Sequence, residues 1–224
     1  MFNGKRVAVI IAAGGLGSRL GTSVPKQFLK IGGRPVIVKA TEAFDKMDAV
    51  DYIFVATRDE YLDYCRELLE EHKLTKVESV VSGGSKRQDS VFKALQEMNR
   101  RTPGVEYVLI HDGARPYLHS EALNDLKEKL SQNDCVVLGR IATDTIKLID
   151  GETVVETIDR NKVFQAETPQ GFKTELIKNA YENCADINFT DDCSLVESLG
   201  YKVAIVIDRF ENKKLTKEED FRNL

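Results

Sequence analysis

Arg19 and Lys26 stand seven positions apart inside AAGGLGSRLGTSVPKQF, residues 12–28, among Gly14, Gly15, Gly17 and Gly21. Glycine lets a backbone close on a ligand, and consecutive free N–H groups make an anion nest. Two cations added to such a nest suit a triphosphate better than the neutral ribose of a dinucleotide. The dinucleotide fingerprint is G-x-G-x-x-G at the start of a helix. Gly15, Gly17 and Gly21 give G-x-G-x-x-x-G, one residue too long. No acidic residue ends a second strand about twenty positions on, as that fingerprint requires. A P-loop needs Gly-Lys-Ser/Thr, which does not follow. Two readings stay open for this stretch: a wrap for a polyphosphate, or a surface turn with solvated charges.

The elements that must position these residues show in the apolar pattern of the chain. RVAVIIA (6–12) is a continuous apolar run rich in β-branched residues, as expected of a strand covered on both faces in a parallel sheet. VDYIFVAT (50–57), KVESVVSGG (76–84), VEYVLIHDG (105–113), DCVVLGR (134–140) and YKVAIVI (201–207) repeat the theme. Helical periods lie between them: PVIVKATEAF, DEYLDYCRELLEEH, RQDSVFKALQEMNR, SEALNDLKEKLSQ and TDDCSLVESLG. This alternation predicts an α/β three-layer domain. DTIKLIDGETVVETIDR (144–160) breaks the rhythm and reads as a hairpin around DGE. The expectation is a single domain over residues 1–224 with a projecting β-hairpin arm at 141–162. Open α/β sheets place ligands beyond the carboxyl ends of their strands. Strands here run out into AGGLGSR, SGGSKRQ, HDGARP and, after Ile207, DRFENKKLT. Their convergence carries more information than any one of them.

Composition narrows the partners. The net charge of -4 and pI of about 5.6 argue against a nucleic-acid or anionic-membrane surface. A local pocket can still be basic. The cysteines Cys65, Cys135, Cys184 and Cys193 form no C-x-x-C pair, which speaks against zinc and against a disulfide scaffold. The first residues lack a signal h-region with a cleavage site, and no apolar stretch reaches the ~18 residues of a membrane span. The expected location is the cytoplasm.

The ordered motifs AGGLGSRLGTSVPKQF, SGGSKRQDSV, HDGARPYL, DTIK, DRN, TPQGF, TDDCSLVE and NKKLT resemble those of the sugar-phosphate nucleotidyltransferases. Among these they are similar to the cytidylyltransferases that act on 2-C-methyl-D-erythritol 4-phosphate. The resemblance implies a Rossmann-like nucleotidyltransferase domain that forms a homodimer through the arm, with CTP and an alcohol phosphate as substrates and Mg²⁺ as cofactor. It implies catalytic roles for Arg19 on the outer phosphates, and for Lys26 and Lys214 at the α-phosphate. Ala13, Gly14, Gly15, Gly83, Gly84 and Ser90 would hold the base or ribose. Asp112 would sit near the ribose and the metal. Gly113, Arg115, Thr145, Arg160 and Thr168 would face the alcohol phosphate, Thr145 and Arg160 reaching into a neighbouring subunit.

Bland alternatives accompany several of these. Arg115 precedes Pro116 and could brace its loop; Arg160 could be a solvated hairpin charge. His111 reads as a hydrogen-bonding residue at a strand end rather than a base. Thr190 or Asp191 suits an N-cap. AGG in the first loop, in place of a second alanine, is shared with ribitol-5-phosphate cytidylyltransferases, and Lys213 stands where an apolar residue is usual. Ribitol phosphate is therefore the alternative alcohol. A non-catalytic nucleotide-binding module would call for loss of a phosphate-handling cation, yet Arg19, Lys26 and Lys214 are all present.

Overall fold

The structure is a computed structural model that describes residues 4–15, 24–183 and 189–222. The central part of the glycine loop, with Arg19, Gly17 and Gly21, lies outside the described residues, as does Cys184. The chain runs β1 (Val7–Ala12), β2 (Lys30–Ile31), β3 (Arg34–Pro35), α1 (Val36–Asp45), β4 (Tyr52–Thr57), α2 (Leu62–Glu71), β5 (Val77–Ser82) and α3 (Arg87–Arg101). It continues through β6 (Tyr107–Asp112), α4 (Ser120–Leu130), β7 (Cys135–Ile141), β8 (Ile146–Asp150), β9 (Thr153–Ile158) and β10 (Phe164–Lys173). It closes with α5 (Thr174–Asn183), α6 (Asp192–Ser198), β11 (Ala204–Ile207) and α7 (Glu219–Arg222).

The main sheet has seven strands in the order β11-β7-β10-β6-β1-β4-β5. β1 pairs in parallel with β4 on one side and β6 on the other. The chain therefore builds outward through β4 and β5, then crosses back to β6, which makes the β1–β6 border a topological switch point. Val7, Val9 and Ile11 pack with Ile37 and Phe44 of α1, Leu69 of α2 and Leu126 of α4. Ala8 and Ile10 face the opposite layer, with Val91 and Leu95 of α3, Ile177 of α5 and Leu195 of α6. The period of two along β1 thus feeds two cores, which is why its sequence is apolar throughout.

β10 and α5 are absent from the strand-and-helix rhythm of the sequence. β10 runs antiparallel to both β6 and β7, with a register shift between Ala166 and Gln170. Pro169 follows a cis Thr168–Pro169 bond at that irregularity. A proline cannot donate to a ladder, so TPQGF does not read as a central strand. The hairpin expected at 144–160 is present as β8 and β9, turning at Gly151, whose φ of +56° suits glycine. It forms its own two-stranded sheet. Leu148, Ile149, Val154 and Val155 on it are exposed.

Among the described residues no helix is long and apolar enough to cross a membrane. Cys65, Cys135 and Cys193 are buried free thiols, and burial pushes the first up to about 12 and the second to about 11.

Candidate active site

A cleft opens at the carboxyl ends of the strands over the switch point. β1 contributes the run from Ala12 to Gly15, and β6 contributes Asp112, Gly113 and Ala114. The β5–α3 turn supplies Gly84 to Arg87, and Lys26 and Lys214 close it from two further segments. The cations lining it are Lys26, Arg58, Lys86, Arg87 and Lys214; Asp112 is the one acid among the described lining residues. A chain of net charge -4 therefore carries a basic pocket.

Asp112 organises these charges. Its Oδ2 lies 2.7 Å from Lys214 Nζ and 3.8 Å from Arg115 Nε, and its Oδ1 accepts from Arg87 Nε at 3.0 Å. Burial alone would raise this carboxyl, but Arg87, then Lys214 and Arg115, outweigh it and hold it well below the usual carboxylate range. Arg87 opens α3 and spans two elements, because its Nη1 also lies 2.7 Å from Oδ2 of fully buried Asp192 at the start of α6. Asp192 Oδ1 in turn accepts from Tyr181 Oη at 2.6 Å. Burial would lower the Arg87 guanidinium, yet Asp192 and Asp112 together raise it above its ordinary value. Asp191, one of the two caps expected, accepts from Ser194 N at 2.9 Å in a capping box.

The two lysines are tied to each other through one residue. Lys26 Nζ donates to the Leu215 carbonyl at 3.0 Å, and Leu215 directly follows Lys214. Gln27, only 2 % exposed, donates from Nε2 to the Ala13 carbonyl at 2.6 Å and so pins the glycine loop where it leaves β1.

The other expected residues divide by location. Ala13, Gly14, Gly15, Gly84, Ser90 and Gly113 line the cleft. Ser90 Oγ accepts from Gly84 N at 3.0 Å and donates to the Lys86 carbonyl at 3.1 Å, so its hydroxyl shapes the turn. Gly83, expected beside the base, does not line the cleft. It is packed behind it: a Cβ there would lie 2.8 Å from Ser90 Oγ and 3.0 Å from the Thr57 carbonyl. Gly113 is glycine for packing too, since a Cβ would meet Ile37 Cδ1 at 2.9 Å.

Arg115 and Thr168, expected to face the second substrate, are engaged inside the protein. Arg115 Nη1 donates to the Asn212 carbonyl at 2.6 Å, which ties the loop after β6 to the segment after β11. Thr168 Oγ1 accepts from Asp112 N at 3.1 Å and sits 3.0 Å from His111 Nδ1. The hydroxyl proton therefore goes to Nδ1, and His111 Nε2–H donates to the Arg115 carbonyl at 3.1 Å. Burial pushes His111 down to about 4, so it stays neutral and locked, a structural residue rather than a base. Thr145 and Arg160 lie at the root of the arm, exposed and outside the cleft lining. Arg160 Nη1 donates to the Thr143 carbonyl at 2.6 Å across that root.

The sequence does not point to Gln27, Arg58 or Arg87 individually, and it marks Asp192 only as a residue at the start of a helix. PKQ and SKRQDS flag the segments of Gln27 and Arg87. Nothing in the sequence signals that Arg87 meets Asp192. No group of three or more His, Cys, Asp or Glu suited to a metal exists among the described residues.

A doubly wound α/β sheet with a cationic cleft and glycine turns at its switch point defines a nucleotide-handling domain of the nucleotidyltransferase kind. The model of the family 2-C-methyl-D-erythritol 4-phosphate cytidylyltransferase (IspD) matches residues 7–223, and the chain belongs to that family. Proteins of that name from Geobacter metallireducens and Bacillus mycoides are 36% and 40% identical, over 96% and 95% of this chain and 94% and 93% of theirs. The crystal structure of 4-diphosphocytidyl-2C-methyl-D-erythritol synthase from Anaerococcus prevotii superposes with a TM-score of 0.84 at 30% identity, covering 98% of this chain and 94% of that one. The cytidylyltransferase from Francisella tularensis gives 0.79 at 28% identity, covering 97% of each chain.

Proposed function

We infer that this protein transfers CMP from CTP to 2-C-methyl-D-erythritol 4-phosphate, releasing pyrophosphate, in isoprenoid biosynthesis. The observation that carries this reading is a cleft of cations and glycine turns in a chain that matches this one family from residue 7 to 223. That match does not favour ribitol phosphate as the alcohol.

The nucleophile is a phosphate monoester, mostly ionised at neutral pH because its second pKa is about 6. An oxygen of that monoester attacks the α-phosphorus of CTP. The bond from the α-phosphorus to the bridging oxygen breaks, and pyrophosphate leaves with the electron pair. No base is needed, which agrees with a neutral, buried His111. The difficulty is bringing two polyanions together, so the chain must supply charge and position. Lys26 and Lys214 stabilise the charge that grows on the α-phosphate, and Arg19 binds the departing phosphates. The backbone of residues 13–15 and Gly84 approach the cytidine. Asp112 aims Lys214 across the cleft.

The resemblance implies Mg²⁺. Among the described residues the cleft has one carboxylate, already engaged by Arg87 and Lys214, and they offer no all-protein cage. It does fit a Mg²⁺ that keeps waters and is held chiefly by substrate phosphates, with Asp112 as at most one ligand. Such an ion would neutralise phosphate charge. The exposed apolar arm would pair two copies of the chain, bringing Thr145 and Arg160 to the alcohol phosphate of the neighbour.

Pyrophosphate release with CTP and Mg²⁺, run in parallel with methylerythritol phosphate and ribitol 5-phosphate, tests the reading. Turnover with the first alone is expected. Turnover with ribitol phosphate alone would refute the alcohol while leaving the nucleotide site intact.

A further inference from the structure

The residues after β11 make a strap whose fastening lies outside the cleft. Lys214 reaches Asp112 from it, while the carbonyl of the next residue, Leu215, accepts from Lys26. Leu215 N donates back to the Ala114 carbonyl at 2.9 Å, so this one peptide is held between the loop after β6 and the Lys26 segment. The Leu215 side chain is fully buried in a small core of its own with Ile31 and Val36, against which Tyr117 and Phe221 pack. Ile31 and Val36 belong to the hairpin and helix that follow Lys26. This core therefore joins the two lysine-bearing segments, apart from the two large cores of the sheet.

One carboxylate fastens the strap. Asp220 Oδ2 accepts from Thr216 N at 2.7 Å, Lys217 N at 2.8 Å and Thr216 Oγ1 at 3.4 Å. Its Oδ1 lies 2.7 Å from Lys213 Nζ. Residues 213, 216 and 217, on both sides of Lys214 and Leu215, thus converge on a side chain only 9% exposed. Burial would raise this carboxyl, but Lys213 and the two backbone N–H groups hold it well below its ordinary value. Lys213, where the family pattern is usually apolar, acquires a partner in this way.

We propose that Asp220 is a positioning residue for nucleotidyl transfer: it fixes the 213–217 strap, and through it Lys214. Asp220 touches no substrate. The proposal rests on the reading of Lys214 as a phosphate-handling cation. A purely structural cap on α7 would destabilise the fold without any special relation to Lys214.

A double-mutant cycle on the full chain separates the two. Asp220→Ala, Lys214→Ala and the double variant are assayed for kcat/KM with CTP and methylerythritol phosphate, after thermal melts confirm folding. Asp220→Ala is expected to lower kcat/KM about tenfold in the wild-type background but to stay within about threefold in the Lys214→Ala background, the non-additivity of residues that act as a unit. Asp220→Asn, which keeps an acceptor oxygen, is expected to recover part of the loss, and replaces Asp220→Ala in the cycle if that variant does not fold. Equal losses in both backgrounds, or a folded Asp220→Ala with wild-type kinetics, would overturn the proposal. A fully active Lys214→Ala would instead overturn the role of Lys214, and the route from Asp220 through it.

Discussion

Asp112 carries the most charge contacts in the site, and two tests follow from its surroundings. Its carboxylate is compensated by Arg87, Lys214 and Arg115, and only 9% of the side chain is exposed. Asp112→Asn keeps the shape and removes the charge, which leaves Arg87 with one counter-ion fewer in a buried setting. Breaking a buried pair in this way costs about 3–5 kcal/mol. Because the folded-state carboxyl lies below its unfolded value of about 3.9, its stabilisation is fully present above that pH and fades as pH falls through lower values. Urea titrations of wild type and Asp112→Asn should show a stability gap that is flat from pH 8 to 5 and narrows below about pH 4. A gap that persists unchanged to about pH 3 would mean the carboxylate is not held down as described. For the lysines the readout is rate. Lys26→Ala and Lys214→Ala should each raise the barrier by about 3 kcal/mol, roughly a hundredfold in kcat/KM, by analogy with an oxyanion donor. A loss below about threefold at either lysine would remove it from the chemistry.

Arg87 belongs to the scale of elements, since it joins α3, the end of β6 and the start of α6 through Asp112 and Asp192. Removing it would leave two buried carboxylates without their shared cation. Arg87→Met should therefore destabilise the fold by about 3–5 kcal/mol in urea denaturation. Arg87→Lys should fall between, because an ammonium is a point charge that cannot fork to both acids. If Arg87→Met matched wild type, the bridge would be an incidental contact. How much of this was legible beforehand follows from the same physics. β1, β4 and β6 announce themselves because strands covered on both faces must be apolar. β10 does not: it is antiparallel, shifts register around Pro169, and carries Glu167 and Gln170, whose partners are Arg140 and Asp191. α5 hides for a different reason, as its buried Leu176, Ile177, Ala180 and Tyr181 follow directly on β10 with no turn text between. In the site, the lysines, the glycine turns and Asp112 stand in ordered motifs at strand ends. The Arg87–Asp192 bridge depends on how α6 docks, which no local pattern encodes, and the inward turn of Thr168 depends on the neighbouring His111.

The arm is a question about the whole molecule. A two-stranded hairpin alone is marginally stable in water. This one projects Leu148, Ile149, Val154 and Val155 at 50%, 63%, 54% and 61% exposure, with Ile149 opposite Val154 in the ladder. Apolar side chains so concentrated on a small element call for a covering surface. A second copy of the chain supplies it in the proposed dimer. Sedimentation should then find a dimer, and the pair Ile149→Glu and Val155→Glu should shift it to monomer while leaving the sheet's cores untouched. Arg160 sits where the arm leaves the domain and bonds the Thr143 carbonyl across that root. If it reaches a neighbour's alcohol phosphate, Arg160→Ala should raise KM for that substrate at least about tenfold while KM for CTP stays within about twofold, because uniform binding to one substrate alone is lost. The same split should appear in the monomeric arm variant, whose own cleft is intact. A fully active monomer would show that each subunit handles both substrates by itself and reduce Arg160 to a brace for the hairpin.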